Sequence, residues 1–532
     1  MSDWRATLFG LVLAGAAMVA EKADAAAPNT GRPPFQTMEA TVDDVHAAYK
    51  AGRLTAHQLV QSYLDRIEAY DKKGPNINSV ITLNPNALED ADRLDAAFKK
   101  SGLVGPLHGI PILVKDEIDV AGLPTTMGSV IFKDYRPTRD ALVVDRLRKA
   151  GAVILGKTTL SEFAIGDTYG SMFGVTRNPY DLERTAGGSS GGSGAALAAN
   201  FATLALGEET LASIRRPGGW NALVTMRPTS GLVSRSGMWD GYPTDFATMG
   251  PMARTVRDLA QLLDVMVAYD PEDPQTALGV GHKQGSYTRS LSRDGLKGTR
   301  IGVLREPIGF LTEPGSEDFK KVDDVFQKNI AELKAAGAII VDPIVIPDLK
   351  PLLAKRVADS TASDEALRLY LARNPNSPFR NRQDIAKSPL LEQSFPANKR
   401  TLWTTPFQPT DAGKFGEYLK ARNQLMTNLL KIMADNRLDA IVHKTVEHQP
   451  TRIQDGIAPP YVSQKGVPSL NTFLVFVSAM TVPSGFTVDR LPVGITFLGR
   501  PYSEAVLLRL AYAYEQATHH RMPPDTTPAL NR

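Results

Sequence analysis

Apolar positions first recur at helical spacing. Leu59, Tyr63, Ile67 and Tyr70 share one face of a segment spanning about 55–70. An earlier helix begins at Val42-Asp43-Asp44 with Thr41 as its cap, since threonine and early acids suit a helix N-terminus. Residues 84–100 read as a third helix, capped by Asn84 with Pro85 in its first position. The pattern then changes. Short continuous apolar runs at 110–114 and 152–156 read as strands, with a helix at 141–150 between them. Runs at 299–304 and 338–341 repeat the pattern around a helix at 317–335, as in a βαβ crossover. A further strand is expected at 438–442, and two more near 473–477 and 493–498. A helix at 504–518 closes the chain. Apolar runs alternating with helices imply an α/β fold whose sheet is buried on both faces.

Two regions depart from this rhythm. Residues 350–431 read as helices joined by polar loops such as Asn374-Pro375-Asn376-Ser377-Pro378. We read 27–532 as a single domain carrying a helical insertion at about 350–460, a natural place for substrate-facing variation. At the N-terminus, Arg5 precedes an apolar run over 6–20, and Ala23-Asp24-Ala25 follows as an A-x-A cleavage pattern. Residues 1–26 therefore read as a secretory signal peptide, which implies an exported, periplasmic or secreted protein. The run falls short of the roughly 20 apolar residues that span a bilayer, and no later run reaches that length, so no membrane span is expected.

Composition narrows the chemistry. Hydrophobic residues make up 42% of the 532, enough for a sizeable core. Sixty basic and 57 acidic residues leave a net charge of +3 with no basic run, which does not suggest a nucleic-acid partner. The absence of cysteine excludes disulfides, thiolate nucleophiles and zinc–cysteine sites. His443, Glu447 and His448 match no zinc spacing, and we expect no metal and no cofactor. Glu447 or one of these histidines is instead a candidate to line a site.

The densest chemical signal runs from Gly187 to Gly219. It opens with Gly187-Gly188-Ser189-Ser190-Gly191-Gly192-Ser193-Gly194, enters a small-residue helix, and ends in Ser213-Ile214-Arg215-Arg216-Pro217. A flexible linker does not fit, because a helix starts at once after the glycines. A glycine-rich turn feeding a helix aims N–H groups at one point, which suits an anion or oxyanion. No Gly-Lys-Ser/Thr follows, so this is not a phosphate loop. Two enzyme readings remain. Gly187-Gly188-Ser189-Ser190-Gly191 matches the G-x-S-x-G nucleophile elbow, with Ser189 as nucleophile and His282, His443, His448, His519 or His520 as its base. Alternatively, Lys115, at the end of the apolar run 110–114, activates a serine in place of histidine.

The whole pattern resembles the amidase signature family. Both ends of the family's signature are matched by Gly187–Ser193 and Ser213–Pro217 at the family's spacing. Gly105-Pro106-Leu107-His108-Gly109-Ile110-Pro111 leading to Lys115-Asp116, Thr125-Thr126-Met127-Gly128-Ser129, Thr176-Arg177-Asn178-Pro179, Gly250–Val256 and Leu491-Pro492-Val493-Gly494 extend the likeness over most of the chain outside about 350–460. The resemblance implies a mixed β-sheet core surrounded by helices and a Ser–cis-Ser–Lys triad. Carried over by motif, Ser213 is the nucleophile, Ser189 the bridging serine in a cis peptide, and Lys115 the base. Burial would draw the lysine pKa towards neutrality. The implied oxyanion hole is the backbone amides of Thr210, Leu211, Ala212 and Ser213.

The implied activity is hydrolysis of a carboxylic amide through an acyl-enzyme, with aryl amides, esters and carbamates (urethanes) as alternatives on the same site. Lesser alternatives are an inactive binding protein and an amidotransferase A-type subunit. One departure stands out: Leu211-Ala212 replaces residues that are glycine, or acid and glycine, in the family. Leu211 is expected to reshape the acyl side of the pocket, and Ala212 to need either ordinary backbone angles or strain. Met172, Phe173 and Trp239 are further candidates for the pocket. Glu209 is expected to pair with Arg215, and Arg216 and Trp220 to pack.

Overall fold

The computed structural model describes residues 35–283 and 285–530. The signal-peptide reading of 1–26 lies outside the described residues. The first two helices start where their caps dictate. The Thr41 hydroxyl accepts from the Asp44 amide ahead of Val42–Lys50, and the Thr55 hydroxyl accepts from the Gln58 amide ahead of Ala56–Tyr70. The third helix starts later than expected, at Ala87. Asn84 does not cap it. Its amide nitrogen donates to the Ile154 carbonyl at 2.8 Å, so the side chain ties the helix entry to a strand.

Eleven strands form one mixed sheet. In chain order they are β1 (Val80–Leu83), β2 (Pro111–Lys115), β3 (Val153–Thr158), β4 (Leu204–Glu209), β5 (Val224–Arg227) and β6 (Thr248–Ala253). They continue as β7 (Arg300–Leu304), β8 (Ile339–Ile344), β9 (Ala440–Lys444), β10 (Ala479–Phe486) and β11 (Pro492–Leu498). Across the sheet they run β1-β3-β2-β4-β6-β5-β10-β11-β9-β7-β8. The α/β fold with a mixed sheet and surrounding helices is thus as expected. β2 pairs in parallel with β3 and β4, and β7 with β8 and β9; the remaining ladders are antiparallel. The central strands β2 to β6, β9 and β11 are buried throughout. The edge strands β1 and β8 are partly exposed, because no neighbour covers their outer side.

The helix Glu317–Ala335 links β7 to β8 as the crossover pattern predicts, and Glu504–Thr518 closes the fold. One strand is misplaced by sequence. Residues 473–477 are loop following a 3-10 turn at Leu470–Thr472, and the strand is Ala479–Phe486. Phe473, Leu474 and Val477 are nonetheless buried against Leu425, Leu429 and Ile441. A short buried apolar run looks the same whether or not its backbone joins a ladder.

Within 350–460 the main helices are Ser360–Arg373 and Ala412–Asp435. They pack into the rest of the chain. Leu367, Tyr370, Ile385 and Trp403 join Met127, Phe132, Tyr135 and Phe163 in one cluster. β9 belongs to the same span and sits inside the sheet. Among the described residues no helix is long and apolar enough to cross a membrane.

Candidate active site

Parallel pairing of β2 with β4 sets the site. Val114 lies opposite Leu206, so Lys115 at the end of β2 projects beside Glu208 near the end of β4. The Lys115 ammonium is fully buried and donates to Ser189 Oγ at 2.6 Å. It also contacts Glu117 Oε1 at 2.7 Å and Glu208 Oε2 at 3.0 Å. Burial alone pushes the Lys115 pKa down, but these two carboxylates outweigh it and hold it above the ordinary lysine value. This corrects the expectation of a lysine drawn towards neutrality. The cluster's lability sits on a carboxyl instead. Burial raises the Glu117 pKa to about 8, with Lys115 opposing and Glu208 reinforcing the rise. Asp240 is raised to about 7 by burial and then by the charge of Glu208, with Arg235 and Lys115 opposing. Thr210 Oγ1 donates to Glu208 Oε1 at 3.0 Å and fixes that side chain.

Ser189 follows a cis peptide bond with Gly188. Space demands glycine at 188, since a Cβ there would lie 2.2 Å from the Gly166 carbonyl oxygen. The next residue binds the two serine segments together: the Ser190 amide donates to the Ser213 carbonyl at 3.1 Å, and Ser190 Oγ donates to the Glu208 carbonyl at 3.1 Å. Ser213 is half-buried, and its hydroxyl has no hydrogen-bond partner among the described residues. The amides of Thr210, Leu211, Ala212 and Ser213 likewise have no acceptor among the described residues. Four consecutive free N–H groups beside a free hydroxyl are what a developing oxyanion requires.

The loop between β4 and the nucleophile candidate is shaped by Glu209. Its carboxylate accepts from the amides of Ile214 and Arg215 at 3.1 and 3.0 Å, and pairs with the Arg215 guanidinium at 2.8 Å, as expected. Ala212 has no positive φ, so it uses ordinary backbone angles. Leu211 packs with Ala212, Trp220, Val446 and Val467, against Phe310.

Other candidates fall elsewhere. Trp239 packs edge-on to Phe132 and Trp403 and tilted to Phe163. Met172 and Phe173 form the turn between the short strands Tyr169–Gly170 and Gly174–Val175. No hydrogen bond joins these three side chains to the serines or the lysine. Glu447 accepts from the amides of Ile308 and Gly309, a role in loop architecture. His448 pairs with Asp318, and burial pushes His443 down to about 3. No histidine reaches Ser189 or Ser213 by a hydrogen bond, which removes the base that the elbow reading needs. Among the described residues no group of three His, Asp or Glu side chains could hold a metal ion.

Sequence reasoning missed three residues: Glu117, Glu208 and the work of Arg216. The buried Arg216 donates to the Gly188 carbonyl at 2.6 and 2.9 Å and to the Gly166 carbonyl at 2.7 Å. It also pairs with Asp167 at 3.0 Å. It therefore holds the carbonyl of the peptide that carries Ser189.

The family described as Amidase matches residues 58–508. Among curated proteins, the A subunit of glutamyl-tRNA(Gln) amidotransferase from Methanosarcina barkeri is 35% identical over 483 residues, covering 88% of this chain and 96% of that protein. A probable amidase of Arabidopsis thaliana is 33% identical over 514 residues, covering 92% of each. Among solved structures, native peptide amidase from Stenotrophomonas maltophilia superposes with a TM-score of 0.82 at 34% identity, covering 93% of this chain and all of that one. The A subunit of glutamyl-tRNA(Gln) amidotransferase from Thermotoga maritima gives 0.69 at 26% identity, covering 91% and 95%.

Proposed function

This chain belongs to the amidase family, and we propose that it is a serine amidase that hydrolyses a carboxylic amide through an acyl-enzyme on Ser213. The observation that carries this reading is the 2.6 Å hydrogen bond from buried Lys115 to Ser189, on a loop whose next amide holds the Ser213 carbonyl. Ser213 Oγ attacks the amide carbon as its proton passes to Ser189 and Lys115, and the oxygen gains charge beside the free amides of residues 210–213. The C–N bond then breaks, the relay returns a proton to the leaving amine, and water releases the acid. Aryl amides, esters and carbamates follow the same course.

An ammonium cannot accept a proton, so a neighbour must first take one from Lys115. Glu117, at 2.7 Å, is that neighbour. Transfer from Lys115 to Glu117 replaces a buried ion pair with a neutral amine and a neutral acid, which burial favours. At neutral pH Glu117 already holds a proton, so it accepts one only after losing it near pH 8. Activity is therefore expected to rise with pH through about 8. In Glu117→Gln that limb is expected to disappear or move well to the alkaline side, read as kcat/KM against pH. An unchanged limb would show that Glu117 takes no part.

A second reading comes from the likeness to the A subunit of glutamyl-tRNA(Gln) amidotransferase, in which this chain would carry out the same steps together with partner subunits. The export pattern in 1–26 argues for the free-standing amidase. Peptide mapping after treatment with a fluorophosphonate tests the main reading. A single adduct on Ser213 is expected, and an adduct on Ser189 or none would overturn it. Amide hydrolysis seen only when partner subunits are added would favour the second reading.

A further inference from the structure

Across the sheet, β4 lies between β2 and β6. Lys115 ends β2, so the lysine–serine relay stands on one side of the β4 end. On the other side, Asp245 and Phe246 lead into β6, whose Thr248 lies opposite Glu209. A cavity of about 80 Å³ opens there against Thr210, the first of the four residues with free amides. Phe246, Val357, Phe415 and Tyr418 give it apolar walls. Val357 and Phe415 extend the apolar cluster that contains Tyr418. Leu211 is not one of the walls, since it packs with Val446 and Val467 and against Phe310.

The walls are held in place, and they ask for no ion. Arg422 pairs with Asp245 at 2.8 Å and lies 5.6 Å from the centre of the Tyr418 ring. The Tyr418 hydroxyl donates to the Thr472 carbonyl. Asp359 accepts from the Ala362 amide at 3.0 Å and from the Thr410 hydroxyl at 2.8 Å. Arg356, also on the wall, is exposed, so water carries its charge. A neutral apolar group is therefore the occupant that gains most, because its surface leaves water and no buried charge is left unpaired. Size narrows the choice. A dry cavity of about 150 Å³ holds benzene, so about 80 Å³ holds roughly half as many carbons.

We infer that this cavity takes the acyl side chain of the substrate, and that the protein prefers amides of short, neutral aliphatic acids with about three carbons beyond the carbonyl. Proton traffic sets the side. The leaving nitrogen must reach Ser189 and Lys115 on the β2 side, which leaves the β6 side to the group on the carbonyl carbon. The inference rests on the amidase reading for that assignment, but filling of the cavity is measurable without turnover.

Calorimetric titration of the full chain carrying Ser213→Ala separates the two. The probes are the p-nitroanilides of acetate, butyrate and hexanoate. Each buried methylene adds roughly fourfold in affinity, so butyryl is expected to bind about tenfold more tightly than acetyl. Hexanoyl is expected to bind no more tightly than butyryl. Adding Val357→Phe, which fills the cavity, is expected to bring the butyryl-to-acetyl ratio close to one. Adding Phe415→Ala, which opens a wall, is expected to move the preference to hexanoyl. A ratio near one before either wall is changed would overturn the inference. So would a ratio that survives Val357→Phe. A gain from lengthening the alkyl group on the nitrogen of acetamides, abolished by Val357→Phe, would put the amine in the cavity and overturn the acyl assignment. If the ratios behave as expected while fluorophosphonate fails to label Ser213 in the unaltered protein, the pocket stands and the acyl-enzyme reading falls.

Discussion

Lys115→Ala is expected to lower kcat by about 10²–10⁴-fold, the range that a positioned proton-transfer group contributes. The loss arises because Ser189 accepts its hydrogen bond from Lys115, and no other side chain that can serve as a base contacts either serine by a hydrogen bond. Stability must be separated from catalysis here. Glu117 is an acid whose folded pKa, about 8, stands above its ordinary 4.5. The folded state holds its proton more tightly than the unfolded chain does. Stability is therefore retained below pH 4.5 and declines as pH rises towards 8. Without Lys115 the attraction that restrains this rise is gone, and Glu208 loses the same cation. The melting temperature of the variant is expected to approach that of the parent near pH 5 and to fall below it towards pH 8. Kinetics measured above pH 8, where Glu117 has given up its proton, with circular dichroism confirming the fold at the assay temperature, isolate the catalytic loss. Activity retained within threefold in a folded Lys115→Ala protein would sink the lysine mechanism.

This carboxylate cluster also marks where the sequence stops being legible. Lys115, Ser189 and Ser213 stand out because their flanking residues form a long ordered pattern, and the structure brings the lysine to one serine and the two serine loops together. Glu208 carries no such flag. It precedes Glu209 on a buried strand, where alternate residues face opposite sides of the sheet. Glu209 turns to Arg215, so Glu208 must find a different cation, and that cation is Lys115. Two adjacent acids on a buried strand are the available signal. Glu117 gives less warning, because its partner lies two residues away around the end of β2 and only the fold turns it back. The misplaced strand at 473–477 has a different cause. Burial determines apolar content, whereas ladder pairing depends on neighbours distant in sequence, here β5 and β11. The helices expected at about 317–335 and about 504–518 are legible because local pattern suffices.

Arg216→Leu is expected to carry the largest stability cost among single changes near the site, about 3–5 kcal/mol, as for breaking a buried pair by removing one partner. Leucine keeps apolar contact with Trp220 but leaves three demands unmet. The Gly188 carbonyl loses two donors, the Gly166 carbonyl loses one, and Asp167 loses its ion pair. Burial already raises the Asp167 pKa, with Arg216 opposing. Removing the guanidinium raises it further, so the folded protein takes up a proton there. The deficit relative to the parent should then shrink as pH falls towards 4 and widen towards neutrality, since an acid with a raised folded pKa loses stability as pH rises. Arg216→Lys tests geometry apart from charge. A lysine keeps the charge beside Asp167 but lacks the planar fork that spans two carbonyls. It is expected to recover much of the melting temperature and little of kcat, because the Gly188 carbonyl, and with it Ser189, is no longer held. Full recovery of kcat in Arg216→Lys would reduce Arg216 to a buried counter-charge and leave the orientation of Ser189 to Lys115 and the loop alone.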